Sequence, residues 1–225
     1  MRPYIICHMV ISLDGRIDCA MTEHITGDEY YAALNKLNCD SMLNGRVTME
    51  MHYAEKERFV PKNNTKVSKS VTHKAEDAKG YTICCDTNGV LKWKSNVVDK
   101  KPLICILSEN TTNEYLEYLK NLKISYIVTG KNKIDLKKAM EILHKEFNVK
   151  RLVVTGGGAI NGAFLGEGLL DEVSWMMAPG IDGRQGWAAG FDGMPNVDRP
   201  PYKLKLISFE KVDNDVLWAR YEFKK

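Results

Sequence analysis

No apolar run in this 225-residue chain approaches the ~20 residues that cross a bilayer, and no charged-apolar-small pattern opens it as an export signal would. Neither charge sign dominates. Thirty-two basic against 29 acidic residues leave a net charge of +3, which imposes neither a nucleic-acid nor a membrane partner. The six cysteines (Cys7, Cys19, Cys39, Cys84, Cys85 and Cys105) lack both CxxC and metal-ligand spacing. Without an export signal they read as small buried hydrophobes in a reducing cytoplasm. His52 and His73 stand too isolated to form a ligand set, and no H-x-E with P-C-x-x-C zinc set exists. There is no Gly-x-Gly-x-x-Gly spacing and no Gly-Lys-Ser/Thr, which excludes the dinucleotide fingerprint of the doubly wound fold and the Walker loop. What remains is 44% hydrophobic, with only 7 Pro and 17 Gly, enough for one large core or two small ones.

The stretch Arg151–Leu165 organises the rest. Leu152, Val153 and Val154 form a short β-branched run that predicts a strand buried on both faces. Gly156, Gly157 and Gly158 follow, and Ala159 to Leu165 spaces its apolar residues as a helix does. A strand, a glycine turn and a helix N-terminus make an anion site, because backbone N–H groups point outward and glycines permit close approach. A plain glycine-rich βα connection accounts for the same pattern.

Taken in order, Tyr4 to Ile11 predicts a central strand. It contains His8, read as a satisfied core group, and ends in the loop Ser12-Leu13-Asp14-Gly15-Arg16. Asp-Gly is a common turn pair, but Ser12 and Asp14 also fall at the carboxyl end of a strand, where open α/β sheets bind ligands. Thr26 with Glu29 predicts a capping box for a helix to about Leu37. Asp40 to Leu43 predicts a strand that feeds Asn44-Gly45-Arg46-Val47-Thr48-Met49-Glu50, a second glycine turn with a hydroxyl and a guanidinium fork. His52 to Lys79 shows no period and reads as a long excursion flanking a site or an oligomer contact. Strands at Tyr81–Cys85, Leu103–Leu107 and Ile124–Val128 then alternate with helices from Thr112 and from Asp135. After the glycine strand and its helix come a strand at Asp171–Ala178, a glycine-rich loop, and an antiparallel hairpin from Tyr202–Phe209 and Val216–Phe223. The expected fold is a single α/β domain over 1–225, with a mostly parallel central sheet and a C-terminal antiparallel hairpin.

Asn44 to Glu50 resembles the G-R-x-T-x-E segment of dihydrofolate reductases, and Thr155 to Ile160 with Phe164-Leu165 resembles their second phosphate turn. The chain is still more similar to the reductase domain of the riboflavin-pathway deaminase–reductase. That likeness rests on Ser12 to Arg16, Gly156 to Gly158, Gly168 to Val173, and Ala178-Pro179 with Gly183, and it covers nearly everything outside 52–80. The resemblance implies a dihydrofolate reductase-like three-layer α/β/α fold and an NADPH-dependent enzyme. Its reaction would reduce the ribosyl group of 5-amino-6-(5-phosphoribosylamino)uracil, or of its pyrimidine-diamine analogue, to ribityl. By the same resemblance, Gly45, Arg46, Val47 and Thr48 hold cofactor phosphates, and Ser108 and Glu109 lie on the adenosine side. Thr155, Gly156, Gly157, Gly158, Ala159, Ile160 and Asn161 form the pyrophosphate turn. Ser12 and Asp14 lie beside nicotinamide and substrate. Thr155 stands where those reductases usually carry an acidic residue. A phosphorylated pyrimidine substrate, a homodimer and no metal are the implied partners. A dihydrofolate or pteridine-type reductase, with Asp28 and Glu29 as the ring-binding carboxylates, and a non-catalytic nucleotide-binding relative are the other readings.

Overall fold

The computed structural model describes residues 1–17, 19–194 and 198–224. Its strands are β1 (Tyr4–Ile11), β2 (Ser41–Gly45), β3 (Val71–His73), β4 (Thr82–Cys85), β5 (Val97–Val98), β6 (Lys101–Leu107), β7 (Ser125–Val128), β8 (Arg151–Val154), β9 (Glu172–Met177), β10 (Leu204–Lys211) and β11 (Leu217–Phe223). Its helices are α1 (Cys19–Thr22), α2 (Glu29–Lys36), α3 (Arg46–His52), α4 (Asn113–Asn121), α5 (Leu136–Glu146) and α6 (Gly158–Gly166). Two compact units form, Met1–Pro3 with Asp40–Leu152 and Tyr4–Cys39 with Val153–Lys225, and the boundary falls inside β8.

In the first unit, β2, β4, β6 and β7 are parallel neighbours, with β3 antiparallel on β7 and β5 antiparallel on β6. β4 and β7 are buried at every residue, as parallel strands covered on both faces must be. Leu103, Cys105 and Leu107 pack with Tyr115, Leu119 and Tyr126 into this unit's core. The helices expected from Thr112 and from Asp135 form, each with that residue as its cap: Thr112 accepts from the Tyr115 amide and Asp135 from the Lys138 amide. The stretch from 52 to 80 is a strap held at intervals. The amides of Glu55 and Phe59 donate to the carbonyls of Lys92 and Val90, and that of Val67 donates to Thr111. The Phe59 ring lies 5.0 Å from that of Tyr115.

In the second unit β1 runs parallel to β9, β11 antiparallel to β9, and β10 antiparallel to β11. The expected capping box does not form. Thr26 donates its hydroxyl back to the Thr22 carbonyl, and Asp28 is the N-cap residue without a side-chain bond. Glu29 takes the Gly27 amide on one oxygen and Asn214 Nδ2 on the other, so it ties the helix start to the turn at Asp213–Asp215.

His8 is fully buried, and the Tyr30 ring stacks on it at 4.8 Å. Trp218 Nε1 donates to Ser174 Oγ at 2.8 Å, which leaves the serine proton for His8 Nδ1 at 2.9 Å. The neutral ring then carries its proton on Nε2, facing the Tyr30 carbonyl at 3.4 Å. Burial pushes the His8 pKa down to about 4. The unfolded chain therefore takes up this proton first. Stability from His8 is complete above the usual pKa of about 6.5 and is lost as pH falls toward 4. Urea titrations of wild type and His8→Gln should show a wild-type loss of roughly 3 kcal/mol across that window. The glutamine variant should show a clearly shallower slope, and equal slopes would remove His8 as the cause.

Candidate active site

Two loop clusters carry the residues singled out in the sequence, one in each unit. In the first unit the carboxyl ends of the parallel strands are in register: Gly45 pairs with Cys85, Cys85 with Ile106, and Ile106 with Ile127. The loops that begin at Gly45, Asp86, Ser108 and Thr129 therefore leave one edge, where open α/β sheets place ligands. Gly45 is the N-cap of α3 and offers no side chain. Val47 is exposed and Thr48 half-buried on the first turn. Arg46 donates from Nη1 to Glu50 Oε2 at 2.5 Å, and its other N–H groups meet no acceptor among the described residues. The Ser108 hydroxyl is buried and donates to the Thr87 carbonyl at 2.7 Å, so this side chain holds the loop together. The Glu109 amide donates to Gly130, and its carboxylate receives the Ser70 hydroxyl at 3.4 Å.

Asp86 closes the same edge, directly after β4. It is buried, and its Oδ2 accepts the amides of Val90 (2.7 Å) and Leu91 (2.9 Å), whereas Oδ1 has no partner among the described residues. Burial raises its pKa, and those amides together with the Arg46 charge oppose the rise. An acidic residue at the end of an apolar Thr-Ile-Cys-Cys strand was the available signal.

In the second unit the parallel pair β1 and β9 ends at Ile11 opposite Met177. Ser12 is buried. Its hydroxyl donates to Asp14 Oδ1 at 2.5 Å and accepts the Arg16 amide at 3.0 Å. Asp14 also accepts the Asp182 amide on Oδ1 (3.0 Å) and the Gly183 amide on Oδ2 (2.9 Å). Those three donors hold its carboxyl well below the usual carboxylate range, the Ser12 hydroxyl most of all. Five backbone bonds extend the clasp: Ser12 to Arg16, Gly15 to Ser12, Leu13 to Gly180, Ile17 to Ala188, and Gly190 to Gly15.

The glycine turn joins this cluster. Gly156 has φ +101, and the Gly156–Gly157 peptide is cis. The Gly157 carbonyl accepts the amides of Ile160 and Asn161, and the Asp192 amide donates to Gly158. A Cβ on Gly158 would stand 2.2 Å from the Ala189 carbonyl oxygen, and one on Gly162 1.8 Å from that of Asp192. At those two positions the missing side chain admits the chain's own 189–192 segment. Asn161 is buried and donates from Nδ2 to Gly190 at 2.8 Å, while its Oδ1 has no partner among the described residues. Ala159 is exposed, and Thr155 and Ile160 are half-buried. The structure thus brings together Ser12, Asp14 and the 156–161 turn, with loop 178–192 as the piece the sequence reading left without a role. Its signal was the recurrence of glycine at 180, 183, 186, 190 and 193. Among the described residues no His, Cys, Asp and Glu group could hold a metal ion, and no helix is long and apolar enough to cross a membrane.

A family model described as the RibD C-terminal domain matches residues 3–218. The chain belongs to that family. Two relatives bear the name 2,5-diamino-6-ribosylamino-4(3H)-pyrimidinone 5′-phosphate reductase. The protein of Methanothermobacter thermautotrophicus is 28% identical over 190 residues, 81% of each chain. That of Aquifex aeolicus is 25% identical over 199 residues, 81% of this chain and 79% of the relative. A solved pyrimidine reductase-like protein of Corynebacterium diphtheriae shares the fold at TM-score 0.73 and 16% identity, covering 99% of this chain and 92% of its own. In this RibD-type chain the mixed α/β architecture, with parallel interior strands and an antiparallel C-terminal hairpin, is as the sequence led one to expect.

The Asp14 clasp generates a test. Asp14→Asn keeps the shape but turns one acceptor oxygen into a donor beside backbone N–H groups. Hydrogen exchange should speed up at Asp182 and Gly183 while β1 and β9 keep wild-type protection. Unchanged protection at 182–183 would show that the carboxylate does not hold this loop.

Proposed function

We propose that this chain is an NADPH-dependent reductase of the riboflavin pathway. It would act on 5-amino-6-(5-phosphoribosylamino)uracil or the pyrimidine-diamine named for its relatives. What carries the reading is the loop cluster of the second unit. Ser12–Arg16, the 156–161 turn and 178–192 are hydrogen-bonded into one piece, in a chain whose relatives are named pyrimidinone phosphate reductases. Bound NADPH would supply the hydride to C1 of the ribosylamino group as its bond to the ring oxygen breaks, with the proton taken up from water, to leave a ribitylamino product.

The protein's share is position. The donors present fit a phosphate-bearing cofactor: Arg46 commits only Nη1 to Glu50. In this reading Gly45, Val47 and Thr48 bring the first turn of α3 to the cofactor's phosphates, and Ser108 and Glu109 shape the adenosine side. Thr155 to Asn161 provide the pyrophosphate turn. Asp14 and Ser12 act by fixing the loop at nicotinamide and substrate. A carboxyl held this far below its usual range stays charged at neutral pH, which suits an acceptor and not a proton donor. In this reading the protein works in the cytoplasm.

Steady-state NADPH oxidation should depend on the phosphoribosylamino-pyrimidine and should be far slower with dihydrofolate. The reverse order would reject the assignment. Arg46→Ala should narrow the preference for NADPH over NADH by about 1–3 kcal/mol, the scale of a charge-assisted hydrogen bond. A wild type that binds both cofactors equally would remove that role.

We read the assembly as a homodimer through the C-terminal hairpin. β10 is the outer strand of the pair β10–β11, and Leu206 and Phe209 are 52% and 55% exposed there. Such apolar side chains on an outer strand call for a partner surface. Sedimentation should give a dimer for wild type and a monomer for Phe209→Glu with unchanged circular dichroism. A monomeric wild type would exclude this assembly.

A further inference from the structure

The strap between α3 and β4 carries a second guanidinium to the one at Arg46. Glu50 is the hinge between them. Its Oε2 accepts Arg46 Nη1 at 2.5 Å, and the Arg58 fork reaches it from Nε to Oε1 (2.6 Å) and Nη2 to Oε2 (3.1 Å). Two guanidinium groups share one carboxylate, which leaves net positive charge on a patch where Arg46 is 35% and Arg58 55% exposed. Neither fork is used up. The remaining N–H groups of both arginines meet no acceptor among the described residues.

The position of Arg58 is set by anchors on either side. The Glu55 amide donates to Lys92 at 2.9 Å and the Phe59 amide to Val90 at 2.8 Å, while the Phe59 ring sits against Tyr115 and Tyr118. Both anchors run along the 90–92 segment that follows Asp86, so Arg58 is delivered to the carboxyl edge of the first unit. Asp86 adds an attraction on both cations from below but is itself buried, so it does not reach the surface where an anion would dock.

We propose that Arg58 is a specificity-determining residue for the cofactor, joining Arg46 on the 2′-phosphate of the dinucleotide, with Glu50 holding the two forks at the spacing of one phosphate. This rests on the NADPH reading given above and adds to it a residue from the strap. A phosphate dianion matches two planar forks better than one, and each charge-assisted bond is lost when the ligand has a 2′-hydroxyl instead.

Calorimetric titration of the full chain with NADPH, NADH and adenosine 2′,5′-bisphosphate tests this without turnover. Arg58→Ala should weaken NADPH and the bisphosphate by about tenfold or more and leave NADH within about twofold, the effect expected of a lost charged hydrogen bond. Arg58→Lys, which keeps the charge but not the fork, should fall between. Lys56→Ala, an exposed cation on the same strap, should change the affinity for none of the three. An equal loss for NADPH and NADH would mean that Arg58 only supports the strap, and no change for either would leave it without a role; both results overturn the proposal. If the wild type discriminates between the cofactors and Arg58→Ala discriminates as well, this inference alone fails. If the wild type binds neither, the cofactor reading falls and takes this one with it.

Discussion

The tightest constraint in the second unit is the approach of one piece of backbone to another. A side chain at Gly162 would begin 1.8 Å from the Asp192 carbonyl oxygen, and one at Gly158 2.2 Å from that of Ala189. Because neither exists, the 189–192 segment lies directly on α6, the Asp192 amide reaches the Gly158 carbonyl, and Asn161 reaches Gly190. Loop 178–192 is thereby fixed at its far end. Its near end can then present the amides of Asp182 and Gly183 to Asp14. Removing the glycines would release the loop and leave the Asp14 carboxylate without its backbone donors. The placement of the Asp14 carboxylate at the mouth of β1 thus depends on two absent side chains on α6.

The first unit solves a different problem with charge. Its parallel strands end on Asp86, a carboxylate withdrawn from water at the cost of desolvation. Two amides satisfy one oxygen, and the guanidinium groups of Arg46 and Arg58 act on the whole group from outside. Glu50 collects both arginines and has its own pKa lowered, chiefly by the Arg58 bond. Since Arg58 belongs to the strap and Arg46 to α3, the ionic cluster links the irregular segment to the regular frame. Exposed pairs of this kind contribute little to stability. Their effect is to fix where two cations stand.

How much of this the sequence announces depends on range. The buried strands were legible because apolar runs such as Tyr4–Ile11 and Leu103–Leu107 admit little else, and the helix starts at Thr112 and Asp135 because the groups these residues bond are three residues away. α1, β3 and β5, of two to four residues, are too short to carry a period and were not seen. The Thr26 box failed because the helix starts two residues later, with Asp28 at the N-cap, and the Thr26 hydroxyl turns back to the Thr22 carbonyl. Ser12 and Asp14 could be picked out as polar residues after a central strand. What they bond to could not, since Asp182 and Gly183 lie 168 and 169 positions away. The strap is the extreme case. Its anchors at Lys92, Val90 and Thr111 are backbone groups, which leave no trace in side-chain pattern.

The same distinction between local pattern and distant partner bears on the choice between a pyrimidine and a pterin. In sequence, Asp28 and Glu29 at a helix start resemble carboxylates placed to grip a ring. In the fold, Glu29 is buried and both its oxygens are engaged, one by the Gly27 amide at 2.7 Å and one by Asn214 at 3.1 Å. Binding a ring nitrogen there would compete with both of those bonds and loosen the tie between the helix start and the turn at Asp213–Asp215. Asp28 is exposed and bonds nothing as an N-cap. Neither is set up as a ring-binding carboxylate, whereas Asp14 is clasped in the loop cluster at the carboxyl edge, where β1 and β9 both end. The acidic group prepared by the fold is the one after the first strand, and that favours the ribosylamino-pyrimidine reading.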